Sequence, residues 1–315
     1  MGTLIEPITQ ADWPWRRLMG SLGRAVAVAA AATVSMAQIR SPFKSDPPKV
    51  CSSCTAWNAP LEPFRVFGNT YYVGTEGLAS VLITSDRGHI LLDGGLPQSA
   101  EEIDAHIRRL GFRLTDVKLI VNSHAHYDHA GGIHALQAAS GAAVAASRSG
   151  ADALKRGENT TDDPQYGFGH DANAFPRVTS VHVVKDGDVL HAGPLSVVAH
   201  LTPGHTPGST TWTWTSCEAS RCLNVVYADS LNAVSAPGFR YSSDAPRVAA
   251  FRKSLTTVES LPCDLMISVH PGFSRLLEKR ARAANGDPDA FVDPRGCREY
   301  VQSMRDLLDR RLALE

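Results

Sequence analysis

Apolar positions in the body of this chain recur with two different periods. Residues 66–73 (VFGNTYYV) and 79–84 (ASVLIT) are β-rich runs set around turn signals at Gly68-Asn69 and Gly74. Residues 88–95 (GHILLDGG) predict a strand that ends in a tight turn. Residues 99–110 switch to helical spacing, with Ile103, Ile107 and Leu110 on one face and Gly111 as the stop. Residues 117–121 (VKLIV) predict a buried strand, and a helix over 133–139 opens after Gly131-Gly132 and ends at Gly141. A short strand over 142–145 and a helix over 149–155 follow. Residues 158–177 form a polar and aromatic loop, longer than a plain connection needs. From Val181 strand signals dominate: HVVKDGDVL, LSVVAHL, STTWTWT and LNVVYA. A helix over 251–261, a strand over 265–269 and a terminal helix over 300–314 complete the pattern.

The order is strands, then helices alternating with strands, then a strand block, then helix and strand again. Such an order predicts an α/β layered sandwich, with two sheets in contact and helices outside. The body carries no repeat and no internal linker, so residues 51–315 are expected to form one domain. With 315 residues, 43% of them hydrophobic and 20% charged, the chain can bury a large core. Lys and Arg (31) nearly balance Asp and Glu (32), which speaks against a nucleic-acid partner.

Residues 25–37 (AVAVAAAATVSMA) are uncharged, small and mostly apolar, with Arg24 before them and Arg16-Arg17 further back. Ser35-Met36-Ala37 has the small-x-small form of a cleavage site before Gln38. The run is short for a bilayer span, so a cleaved signal peptide over 1–37 is expected rather than a membrane anchor. A flexible, Pro-rich lead over 38–50 and a periplasmic destination follow from that reading. Glu6 and Asp12 are unusual in a signal; Met19 is an alternative start, and Arg16-Arg17 an alternative twin-arginine signal.

Six cysteines fit an oxidising compartment and fall by spacing into Cys51/Cys54, Cys217/Cys222 and Cys263/Cys297, one of fifteen possible connectivities. Cys51 and Cys54 form a C-x-x-C with no second copy and no helical pattern after it. A structural disulfide is the favoured reading there, with a redox pair or half of a zinc ribbon as alternatives.

The densest chemistry lies in His124-Ala125-His126-Tyr127-Asp128-His129, directly after the apolar strand 117–121. On extended backbone, residues two apart point the same way, so His124 and His126 can grip one ion together. Asp128 and His129 follow the turn and can face a second. Imidazoles with a carboxylate suit zinc. His205, set between two Pro-Gly turns in residues 202–209 (TPGHTPGS), and His270, before Pro271-Gly272, are the best further donors. Each also sits at the tip of an apolar strand. His89, His106, His134, His170, His182, His191 and His200 lack metal spacing and are read as surface or structural.

HAHYDHAGG (124–132), TPGHTPGS (202–209), YADS (227–230) and VHPG (269–272), taken together, resemble the metallo-β-lactamase fold superfamily. The longer stretches 74–100, 209–215, 227–238 and 260–272 are similar to the third, all-histidine subclass of class B β-lactamases. The similarity runs from about Trp57 to Cys297.

The resemblance implies an αββα sandwich of two facing mixed β-sheets and two Zn2+ per chain. One zinc would be held by His124, His126 and His205, the other by Asp128, His129 and His270. Ser230 stands where other class B enzymes place a cysteine ligand, which gives His129 its role. Asp93 resembles a residue that braces the histidine loop, and Asp229 is expected to be structural rather than metal-bridging. Ser230 and Asn232 are candidates to bind a substrate carboxylate, and Gln165, Tyr166 and Trp57 to line the pocket. Cys263/Cys297 matches a disulfide common in that group.

The implied activity is hydrolysis of the β-lactam amide of penicillins, cephalosporins and carbapenems by a zinc-bound hydroxide, with Asp128 orienting the nucleophile. No covalent enzyme intermediate is needed. The expected partners are small-molecule β-lactams, with no nucleic acid, no membrane anchor and a monomeric chain. The alternatives are a thioesterase or lactonase of the same fold, and a secreted zinc-binding protein without turnover.

Overall fold

A computed structural model describes residues 43–315. The expected signal segment and the start of the lead lie outside the described residues. Among the described residues, no helix is long and apolar enough to cross a membrane.

The first sheet contains β1 (Phe64–Phe67), β2 (Thr70–Tyr72), β3 (Val81–Ile83), β4 (His89–Leu92), β5 (Val117–Val121), β6 (Ala143–Ser147) and β7 (His182–Val184), in that spatial order. Its first half is antiparallel, and β4 to β7 run parallel. The second sheet holds β8 (Val189–Ala192), β9 (Leu195–Leu201), β10 (Thr210–Glu218), β11 (Arg221–Ala228) and β12 (Leu265–Ser268). It is antiparallel except where β12 joins β11. Parallel strands need crossovers, and the helices supply them.

In chain order the helices are α1 (Cys54–Trp57), α2 (Ser99–Arg109), α3 (Tyr127–Ala130), α4 (Ile133–Ser140), α5 (Arg148–Arg156), α6 (His170–Asn173), α7 (Ala245–Ser260), α8 (Leu276–Ala284) and α9 (Gly296–Leu314). Ile103 and Ile107 of α2, Leu136 of α4 and Leu154 of α5 cover the outer face of the first sheet against Leu91 and Ile120. Phe251 and Leu255 of α7, with Val301 and Met304 of α9, cover the second against Val226 and Met266. Between the sheets, Ile90, Leu92, Val121, Trp212, Val225, Tyr227 and Ile267 form the central core. The architecture is therefore an αββα sandwich of two mixed sheets. Residues of β4 are buried on both faces, which is why Ile90-Leu91-Leu92 is an unbroken apolar run rather than an alternating one. Each fully buried Leu or Ile there stabilises the fold by about 1.5–3 kcal/mol.

The sheets are also fastened by polar side chains. Trp212 Nε1 donates to the Asn122 carbonyl at 3.1 Å, and Trp214 Nε1 to Thr70 Oγ1 at 3.0 Å. The backbone N–H of Thr210 reaches the Ser123 carbonyl at 2.8 Å. Cys51–Cys54, Cys217–Cys222 and Cys263–Cys297 are disulfides. Cys217 and Cys222 face each other across the β10–β11 hairpin, and Cys263–Cys297 ties the approach to β12 to α9.

Several elements differ from the sequence reading, among them the one-turn helices α3 and α6, which lie where only the histidine motif and a loop were expected. A one-turn helix, α1, begins at Cys54 itself, where no helical pattern was expected. Helix α7 starts at Ala245, six residues before the apolar repeat, because Asp244 caps it by accepting from Arg247 N at 3.0 Å, with a proline in its first turn. Helix α9 starts at Gly296 rather than Tyr300. Helix α8 was not foreseen: with Leu276 and Lys279 its buried residues, it carries little apolar pattern.

Candidate metal centre

Every strand that delivers a site residue ends at one common edge. His124, His126, Asp128 and His129 follow β5, His205 follows β9, Asp229 to Asn232 follow β11, and His270 follows β12. The loop after β5 can turn tightly because backbone passes backbone there. A Cβ on Gly132 would lie 2.3 Å from the Gly94 carbonyl oxygen, so only glycine fits. Gly94 N in turn donates to the His129 carbonyl at 2.9 Å.

Asp93 braces the same loop. It adopts a left-handed backbone (φ 59) and its buried carboxylate accepts from Asn122 Nδ2 at 2.9 Å, Ser123 N at 2.8 Å, Ser123 Oγ at 2.6 Å and Tyr227 OH at 2.9 Å. Burial raises its pKa to about 6, against the opposing pull of His129 and those hydrogen bonds. Asp93 touches the residue before His124.

Two donor groups form among the described residues: His124, His126 and His205, and His124, Asp128 and His129, with ligand atoms in each within 4.8 Å of one another. Which nitrogen is free can be read from what the other one touches. His124 Nδ1 donates to Asp229 Oδ1 at 2.6 Å, leaving Nε2 buried and without a protein partner. His126 Nε2 donates to Asp163 Oδ2 at 3.1 Å, leaving Nδ1. His205 Nδ1 donates to the Asn232 carbonyl at 2.9 Å, and His270 Nδ1 to the Gly77 carbonyl at 3.2 Å, leaving Nε2 on each. His124 thus has one lone pair to give and can serve only one of two ions. His270 completes the other group: its Nε2 lies 3.3 Å from His129 Nε2 and 3.5 Å from Asp128 Oδ2. Asp128 Oδ2 is itself 3.3 Å from His129 Nε2.

These groups fit a cation rather than one another. Three imidazole nitrogens crowd together without a donor among them, and a buried lone pair such as His124 Nε2 costs about 1–3 kcal/mol when unpartnered. Imidazole nitrogen with one carboxylate is the donor set that suits zinc.

The electrostatics agree with that fit. Burial, then the other histidines, drives His124 well below the ordinary imidazole value. Burial, with His126 beside His205 and His129 beside His270, pushes those two pKa values down to about 4. All three are neutral at pH 7 and able to donate a lone pair. Burial alone would also lower His126 and His129, but the Asp163 and Asp128 carboxylates outweigh it and raise both. Burial opposes ionisation of Asp128, yet His129 and His270 hold it well below the ordinary carboxylate range.

A cleft of about 670 Å3 opens beside His270, lined by Trp57, Glu76, Gly77, Asn232, Phe273 and Leu277 among others. Trp57 packs on the His270 ring with centroids 5.4 Å apart. Ser230 Oγ is buried and Asn232 Oδ1 shielded, each without a protein partner. Gln165 Nε2 comes within 3.4 Å of His205 Nε2. Tyr166, next in the loop, is 40% exposed and does not line this cleft. His89 and His106 are buried away from the centre, His106 donating through Nδ1 to the Val73 carbonyl at 2.9 Å.

Sequence reasoning missed Asp163 and the Gly77 carbonyl. Asp163 lies in a loop with no periodicity, 37 residues from the ring it touches. Its one visible signal was the unusual length of that loop.

Residues 73–217 match the family described as the metallo-β-lactamase superfamily. The chain is 53% identical to the Rm3 metallo-β-lactamase, covering 84% of this chain and 98% of that one with a TM-score of 0.81. It is 48% identical to MEM-A1, a subclass B3 metallo-β-lactamase from a soil metagenome library, covering 82% of this chain and 98% of that one with a TM-score of 0.78. It is also 32% identical over 125 residues, 39% of this chain, to a probable metallo-hydrolase of Burkholderia pseudomallei. The matches to curated relatives span 38% and 41% of those proteins' own lengths. The chain belongs to the metallo-β-lactamase superfamily, a metal-binding hydrolase family.

Proposed function

We propose that this chain is a zinc-dependent β-lactamase that opens the β-lactam amide of penicillins, cephalosporins and carbapenems and so confers resistance to them. The observation that carries the reading is the pair of half-sites at one strand edge, each histidine but His129 oriented by a fixed acceptor. Similarity to solved metallo-β-lactamases over nearly their whole length supports the substrate class. His124, His126 and His205 hold one zinc; Asp128, His129 and His270 hold a second. Bound there, zinc supplies Lewis acidity and lowers the pKa of a coordinated water to about 7.

The chain's own residues do the rest. Asp128, ionised at neutral pH, accepts the hydrogen bond that orients the attacking water. Ser230 Oγ, which has no protein partner, can donate to the substrate carboxylate, as can the amide nitrogen of Asn232. The Gln165 amide stands beside His205, where it can donate to a substrate oxygen. Trp57 fixes the His270 ring and gives the cleft an apolar floor. We further propose export to the periplasm by a signal over 1–37, with 51–315 as a monomeric catalytic domain. Three disulfides support an oxidising compartment.

A substrate panel tests the reading. The mature chain should hydrolyse a chromogenic cephalosporin and a carbapenem, and thioesters and lactones poorly. Brisk thioester or lactone hydrolysis without β-lactam turnover would contradict it.

A further inference from the structure

The 158–177 loop touches the centre through two side chains, Asp163 and Gln165. Asp163 is buried, and its two oxygens do different work. Oδ2 accepts from His126 Nε2 at 3.1 Å, and Oδ1 accepts from the Gln165 backbone N–H at 2.7 Å. One carboxylate therefore joins a member of the three-histidine group to the turn that presents Gln165. The rest of the loop is fastened from outside: Asn173 Nδ2 donates to the Gln165 and Tyr166 carbonyls at 3.1 Å each, and Lys49 Nζ to the Asp171 carbonyl at 2.6 Å and the Ala174 carbonyl at 2.9 Å. Arg247 Nη2 holds the Asp162 carbonyl at 2.7 Å.

We propose that Asp163 is a positioning residue that couples cation binding at His124, His126 and His205 to the order of the 158–177 loop. The inference rests on reading those three histidines as a metal group. A cation drawing on the Nδ1 lone pair polarises the His126 ring and strengthens its Nε2–H···Oδ2 bond to Asp163. A firmer Asp163 then holds the Gln165 amide more firmly. Such coupling is reciprocal: the cation favours the ordered loop by the same factor by which the ordered loop favours the cation, so loosening the loop weakens cation binding.

The test uses the full mature chain, zinc-free and zinc-loaded, followed by amide hydrogen exchange and by zinc competition against a chromogenic chelator. Zinc should slow exchange across the loop in the unmutated chain. In Asp163→Asn that slowing should largely vanish, and zinc affinity should fall about tenfold or more. The cobalt-loaded variant should also show an altered visible absorption spectrum, which a purely structural role would leave alone. Asn173→Ala touches no metal-group residue and guards against misfolding of the first variant; it too should lose several-fold in zinc affinity. Unchanged affinity in Asn173→Ala, or a loop whose exchange ignores zinc, overturns the coupling and leaves the metal site standing. If His205→Ala keeps the full zinc content, the ligand reading fails and the coupling with it.

Discussion

His124 Nδ1 and Asp229 Oδ1 lie 2.6 Å apart, with both side chains buried beneath the centre. Tyr300 OH donates to the Asp229 carbonyl at 2.7 Å, so the acceptor is held by helix α9 as well as by its own strand. Removing it leaves a buried N–H unpaired and frees the ring to rotate. Asp229→Ala should lower zinc affinity by about 10–100-fold, with Asp229→Asn between that variant and the unmutated chain. Chelator competition measures both.

The tight passage of the histidine loop past the β4 turn predicts a packing effect with a functional readout. Gly132→Ala places a Cβ 2.3 Å from the Gly94 carbonyl oxygen and 3.1 Å from the Leu96 carbonyl oxygen. Relief requires the backbone of residues 129–132 to move. We expect a stability loss of about 1–3 kcal/mol by denaturant unfolding, together with weaker retention of the second zinc.

The disulfides should contribute unequally. Cys263–Cys297 closes a separation of 34 residues and Cys217–Cys222 one of only 5, across a hairpin already in register. Chain entropy then predicts about 3–4 kcal/mol for the first and about 2 kcal/mol for the second. Paired Cys→Ser variants compared by urea unfolding would reveal that order; equal losses would contradict it.

Zinc uptake should depend on pH with a definite sign. His126 and His129 are raised above the ordinary imidazole value by the Asp163 and Asp128 carboxylates, so each holds its second proton to higher pH than a free histidine does. His205 and His270, near 4, and His124, lower than its ordinary value, do not. A proton and a cation compete for the same ring. Zinc affinity should therefore rise as pH rises through the region above 6.5, and uptake at pH 6.5 should release about one to two protons. Calorimetry in buffers of different ionisation enthalpy counts them.

Much of this was legible in the sequence because periodicity marks burial. The strands before each site residue are apolar runs, and HAHYDH, GHTPG and HPG stand where those runs stop. The helix face of α2 shows equally plainly in Ile103 and Ile107. What stayed hidden was set by tertiary contact rather than local pattern. Asp163 has no periodic neighbour, and its role exists only because the loop folds back on His126. Helix α7 carries its start in Asp244 and a proline, not in apolar spacing. The Gly77 carbonyl that orients His270 is backbone, and no side-chain motif can announce it.

The central claim is that two clustered half-sites act together on a β-lactam ring. Its most direct measurement is carbapenem hydrolysis by the purified mature chain as zinc is titrated into metal-free protein, with bound zinc counted in the same samples. Activity should rise with zinc to two per chain, disappear with chelator and return on zinc addition. Full hydrolysis in the zinc-free, chelated protein, or two tightly bound zinc ions without any β-lactam turnover, would contradict it.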